Sequence, residues 1–157
     1  VDHLIKSGAK TIAHIAGPKN WFDATERQRG WESALEDSSA ERGVLLRGDW
    51  TADSGYALME EIMLGELPDA IFVANDQMAL GALCALKESG VAVPEKVRVV
   101  GFDNEPGTAF FSPPLTTVQQ DFDAVGREAI KAVAALVDGH TVRDRQTTPE
   151  LVVRESA

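Results

Sequence analysis

The chain has 157 residues, 44% of them hydrophobic, and a formal net charge of −10. That length holds one domain with a real core, no run of about 18 apolar residues is present to span a bilayer, and the acidic balance argues against this stretch itself lying along a nucleic-acid backbone. Cys84 is the single cysteine, so no intrachain disulfide forms, which fits a reducing compartment; within "MALGALCALKESG" its expected work is packing.

In chain order, "VDHLIKSG" opens in mid-helix, with Val1, Leu4 and Ile5 on one face and Gly8 placed to close it. It has neither an initiator methionine nor a signal peptide, so the chain is expected to be a piece of a longer product. "KTIAHIAG" (10–17) reads as a buried strand, and 23–37 as a helix with Ala24, Trp31, Ala34 and Leu35 toward one side. "GVLLRGD" (43–49) is strand-like, and 52–65 is a helix capped by Asp53 or Ser54. "DAIFVAN" (69–75) and helix 76–90 follow, then strand 97–103, an irregular stretch "NEPGTAFFSPPL", a short strand "TTVQQ", helix 122–139 and a last strand 148–156. Apolar strands alternating with helices predict an α/β fold: an open parallel sheet with helices on both faces.

Ligands of such sheets bind outside the carboxyl ends of the strands. "GPKNWF", "GDW", "ND" and "DNEP" follow the first four strands, so polar and aromatic clusters should converge on one edge. His3, His14 and His140 lie on separate elements, which disfavours a metal site or a Ser/His/Asp arrangement. No Walker loop, GxGxxG or GxSxG occurs. Asp103 could serve as a nucleophile in an α/β enzyme, but no lysine and hydroxyl partner can be placed beside it.

The same residues suit recognition of a polyhydroxylated small molecule. Asn75 and Asp103 can each engage adjacent hydroxyls, and Arg27 is a forked donor in the first turns of its helix. Trp50, with Trp21 or Phe22, offers flat faces to the C–H side of a sugar ring. A neutral sugar or glycoside is favoured because no basic phosphate cradle is present, although Arg27 leaves a sugar phosphate open. Either Asn75 or Asp76 could cap the helix that begins there. No cofactor and no metal is expected.

"GDWTADSGY", "VANDQMALGAL…ESG", "VVGFDN" and "PPLTTVQQDF" together resemble the effector-binding core of the lactose-repressor (LacI/GalR) family, along the whole chain and in order. The resemblance implies one lobe of a two-lobed, periplasmic-binding-protein-like fold. It assigns 1–118 to the carboxyl-side lobe, 119–147 to a crossover segment of a mostly missing amino-side lobe, and 148–157 to a returning strand. By the same resemblance Arg27, Asn75 and Asp103 hold effector hydroxyls, Trp50 stacks on the sugar, and Gln120 and Phe122 approach from the hinge side. Asn75 then serves the ligand, leaving Asp76 as the cap.

The helix-turn-helix head of the family is absent from this chain, so operator DNA would be bound by the parent protein, a cytoplasmic, non-enzymatic repressor controlled by a small carbohydrate. A periplasmic sugar-binding protein is the nearest rival, and an α/β enzyme acting on sugars a more distant one. A homodimer through this lobe is also expected, with Phe110 and Phe111 of one copy near Tyr56, Met59 and Met63 of the other. Leu58 and Ile62 form the second stripe of that helix. Phe122, Val125, Ala129, Val133 and Leu136 should present an apolar stripe to the other lobe.

Overall fold

A computed structural model describes residues 1–142 and 147–157. The strands it contains are β1 (Thr11–Ala16), β2 (Glu41–Arg47), β3 (Ala70–Val73), β4 (Arg98–Asp103), β5 (Thr116–Gln119) and β6 (Glu150–Val152). Between them run α1 (Asp2–Lys6), α2 (Phe22–Glu36), α3 (Ala52–Met63), α4 (Asp76–Glu88) and α5 (Phe122–Val137). The strands form one sheet in the order β2-β1-β3-β4-β5-β6. All neighbours are parallel except β6, which runs antiparallel to β5. The expected open parallel sheet is thus present, and its last strand closes one edge in the reverse direction, a common finish for sheets of this kind.

Alternation along the strands supplies both cores. Ala13, Ile15, Ile71 and Val73 face α3 and α4, whose Met59, Ile62, Met78, Ala82 and Leu86 are buried against them. Ile12, Ala70, Phe72 and Val100 face the other way, toward Leu4 of α1 and Trp31 and Leu35 of α2. Trp31 is fully buried and its indole N–H donates to the Ile12 carbonyl at 3.2 Å, which satisfies its polar atom. His14 is likewise a core residue: it stacks on Phe72 with ring centroids 4.7 Å apart and bonds the Phe72 carbonyl through Nδ1. Burial pushes its pKa down to about 4.

The phase of α3 is set by a backbone contact. A Cβ on Gly55 would stand 2.1 Å from the Met78 carbonyl oxygen, and one on Gly81 would stand 1.9 Å from that of Ala52, so α3 and α4 cross where neither has a side chain. With Gly55 inward, Met59 and Ile62, four and seven residues on, are inward too. Met59 is 0% exposed, so it is unavailable as a dimer contact in the folded lobe, contrary to expectation. Tyr56 and Met63 are half-buried beside it, as is Leu58. Phe110 is 90% exposed, whereas Phe111 packs partly onto its own core. Cys84 also departs from its expected packing role and lies on the exposed side of α4.

Thr51 rather than Asp53 or Ser54 caps α3, accepting the Ser54 N–H. In α5 no residue is buried, and Phe122, Val125, Val133 and Leu136 stand exposed along it with Ile130 and Val137. The expected crossover segment 119–147 includes residues 143–146, which lie outside the described residues. No helix among the described residues is long and apolar enough to cross a membrane.

Candidate functional site

The strand order reverses at β1, between β2 and β3, and the carboxyl ends there open into a concavity of about 620 Å³. Trp21, Asp23 and Arg27 enter it from the segment after β1, Trp50 from that after β2, and Asn75 from the end of β3. Asp103 ends β4 and Asn104 to Pro106 follow it, while Gln119 ends β5 and Gln120 and Phe122 follow. All six residues expected at an effector site, Arg27, Trp50, Asn75, Asp103, Gln120 and Phe122, therefore line one hollow. Trp21 joins them, while Phe22 is 77% exposed and lies outside.

Arg27 and Asp103 form the floor. One guanidinium nitrogen donates to the Ala74 carbonyl and the other to Asp103 Oδ1 at 3.2 Å. The guanidinium lies 4.0 Å over the Phe102 ring, with the Trp50 ring 5.7 Å away. Gln120 Nε2 donates to the same Asp103 Oδ1 at 2.9 Å, so the second carboxylate oxygen remains for a ligand. Burial raises the Asp103 pKa, and Arg27 and Gln120 oppose that rise.

The backbone at the rim is unusual and each feature has a local cause. Trp50 has a φ of +77°. Asp49 Oδ1 accepts both the backbone N–H and the hydroxyl of Thr51, bridging over Trp50 in an Asx turn. Those bonds hold the exposed Asp49 carboxyl down at about 2. The indole then lies against Gly17, where an added Cβ would fall 2.1 Å from the ring. Asn75 fixes the other end of Trp50 by donating from Nδ2 to its carbonyl at 3.0 Å.

Asn75 is also the cap of α4, its Oδ1 accepting the Met78 N–H at 3.0 Å. The assignment of the cap to Asp76 is thus corrected. Asp76 turns beneath the site, fully buried, and accepts the Thr117 hydroxyl at 2.6 Å and the Glu105 N–H at 2.8 Å. It reaches them across Gly101, where a Cβ would stand 2.3 Å from Asp76 Oδ1. Burial, opposed by these two bonds, pushes its pKa up to about 6. The strut holds the segment in which Asp103 and Asn104 both have positive φ, +110° and +53°, a strained geometry for residues with side chains. Arg154, just beyond β6, braces that segment, donating to Asn104 Oδ1 at 2.8 Å and to the Leu115 carbonyl at 2.6 Å.

Sequence reasoning did not single out Asp23, Glu105 or Gln119 at the rim, nor the strut at Asp76. The "DNEP" cluster was the available signal for Glu105; Asp23 carried none beyond its place in a first helical turn. Among the described residues no group of three or more His, Cys, Asp or Glu side chains gathers as a metal site would require.

The whole chain, residues 1–157, matches a family model described as a periplasmic binding protein-like domain. It is 37% identical to the lactose operon repressor of Escherichia coli (strain K12), over 98% of this chain and 43% of that protein. It is also 37% identical to the transcriptional repressor PurR of Haemophilus influenzae, over 98% and 48% respectively. The chain therefore spans about half the length of the curated relatives it matches. Among solved structures, the lac repressor bound to ONPG in the repressed state superposes with a TM-score of 0.94 at 36% identity, covering 99% of this chain and 48% of that one. A complex of the transcriptional regulator CelR with cellobiose gives 0.89 at 37% identity, over 99% and 49%.

Proposed function

The chain belongs to the periplasmic binding protein-like domain family and is similar throughout to the effector core of lactose-repressor-type regulators; on that premise we propose that it is the ligand-sensing lobe of a cytoplasmic, non-enzymatic transcriptional repressor. The observation that carries this reading is the convergence of Arg27, Trp50, Asn75, Asp103, Gln120 and Phe122 on one hollow. Fixed hydroxyl partners beside a flat indole suit a carbohydrate. A titrated sugar that alters operator binding by the intact protein tests the proposal. Ligands without any effect on DNA affinity, or a signal peptide in place of a helix-turn-helix upstream of Val1, would favour the transport-type reading.

In this reading the sugar closes between two lobes, and its higher affinity for one lobe arrangement shifts the population of DNA-binding forms. Residues 119–147 belong to the crossover and α5 docks on the amino-side lobe. Phe122, Ile130, Val133, Leu136 and Val137 are each 60% exposed or more. Burying such side chains is worth about 1.5–3 kcal/mol each, so leaving the whole set in water is costly. The isolated 157-residue chain should therefore bind effector far more weakly than the two-lobed protein. Equal affinities in parallel calorimetric titrations would refute the division into lobes.

The dimer proposal keeps Phe110, Phe111, Tyr56 and Met63, with Leu64, 90% exposed, beside them. Met59→Asp would place a charge in the core and is no test of an interface. Phe110→Asp with Leu64→Asp changes only exposed side chains, and should turn the intact dimer into monomers with the fold retained. An unaltered sedimentation coefficient in that pair would mean the interface lies elsewhere.

A further inference from the structure

We propose that Asp23 and Glu105 form a charge filter at the mouth of the hollow, so that it accepts uncharged sugars and rejects their phosphate esters. This rests on the carbohydrate reading above and adds the ligand's charge class to it.

Four ionisable side chains line the hollow: Asp23, Arg27, Asp103 and Glu105. Arg27, the only cation among them, is already engaged. Its nitrogens donate to the Ala74 carbonyl and Asp103, and its face covers Phe102, so its charge is already matched by a carboxylate, and the N–H groups left over can serve a neutral hydroxyl without offering a phosphate an unpaired cation. Among the described residues the two remaining carboxylates have no such match. Glu105 is held by Gln77, a neutral donor, while its backbone is fixed by Asp76. The charge is thereby kept at the rim without being neutralised.

Asp23 occupies a telling position. The amino end of α2 is a place where an anion would ordinarily be welcome, since its first N–H groups are unpaired and the helix dipole is positive there. Asp23 stands in that first turn and lines the hollow. A phosphate arriving there would meet a carboxylate. The neighbouring hollow continues the same sign, with Asp121, Asp123 and Glu150 on its wall. Lys19 shares the loop with Trp21 but does not line the hollow.

A phosphate ester carries about −1.5 to −2 charges at neutral pH. Opposed by two carboxylates, one on the half-buried Glu105 and one on the exposed Asp23, it should bind at least about tenfold more weakly than the parent sugar. Calorimetry on the intact two-lobed protein, with lactose, cellobiose, maltose and the monophosphate ester of each, measures that ratio directly. The ratio should narrow to within about threefold in the Asp23→Asn, Glu105→Gln variant, and in the parent protein as ionic strength rises from about 0.01 M to about 1 M. The salt series needs no variant and so is immune to misfolding. Neutral sugars binding no better than their phosphates would overturn the filter alone. An unchanged ratio in the variant would overturn its assignment to these residues. Failure of every neutral sugar to bind would overturn the carbohydrate reading and the filter with it.

Discussion

Between pH 7 and pH 5 the chain is expected to gain about 1 kcal/mol of stability through Asp76, rising to about 2 kcal/mol near pH 4, and Asp76→Asn should erase that gain. The carboxyl is raised to about 6 in the fold, against about 3.9 in an unfolded chain. A raised folded pKa contributes stability that is fully present below the unfolded value and is lost as pH rises through the folded one. At pH 7 the contribution has gone; on acidification the folded state takes up the proton first. Asp103 is shifted in the same direction, so the parent alone cannot isolate Asp76, but the difference between parent and variant can. Asparagine can still accept the Glu105 N–H and donate to the Thr117 hydroxyl, and it carries no charge to desolvate, so it should be the more stable of the two near pH 7 and lose that advantage as the parent takes up its proton toward pH 4. Alanine cannot, and leaves the buried Thr117 hydroxyl without this partner at about 1–3 kcal/mol, and the half-buried Glu105 N–H at the lower end of that range. At pH 7 that loss is offset by relief of a desolvated charge; at pH 5 the offset is mostly gone. Urea unfolding at the two pH values should therefore show Asp76→Ala as more damaging in acid. Parallel stability curves for parent and Asp76→Asn across this range would show that Asp76 does not titrate as the geometry requires.

The alternation of strands and helices was legible in the sequence, because each element carries its own periodicity and stop signals. Convergence of the site was legible for the same reason, since a parallel sheet puts the ends of its strands on one edge. What failed depended on distant partners. Asn75 and Asp76 are equally placed to cap α4, and the choice is made by Thr117 and Glu105, which draw Asp76 under the sheet edge. The inward face of α3 could be read as Tyr56, Met59 and Met63 or as Leu58 and Ile62. The actual face combines Met59 and Ile62, because Gly55 meets the Met78 backbone. Cys84 followed α4 outward through its apolar stretch for a similar reason: composition there does not reveal which side faces β3. The Asp76 strut spans 41 residues to Thr117, beyond the reach of any local pattern.

Arg27→Ala and Asp103→Asn should each weaken sugar binding by the intact protein by about 1–3 kcal/mol, the usual cost of losing a hydrogen bond to a charged group. The two effects should not add. Arg27 Nη2 and Gln120 Nε2 both bond Asp103 Oδ1, so removing Arg27 leaves a partly buried carboxylate with one donor and freer rotation. Removing the aspartate charge leaves the guanidinium with a neutral amide oxygen and the Ala74 carbonyl, and so without a counter-charge. The pair is 11% and 21% exposed at its side chains, too sheltered for the near-zero value of a surface ion pair and too open for that of a fully buried one. A double-mutant cycle should accordingly return a coupling of about 0.5–2 kcal/mol. Arg27→Lys should not restore binding, because a single ammonium cannot reach the Ala74 carbonyl and Asp103 in the same plane while covering Phe102. Calorimetric affinities within about 0.5 kcal/mol of the parent in both single variants, or full rescue by lysine, would remove this pair from the effector site.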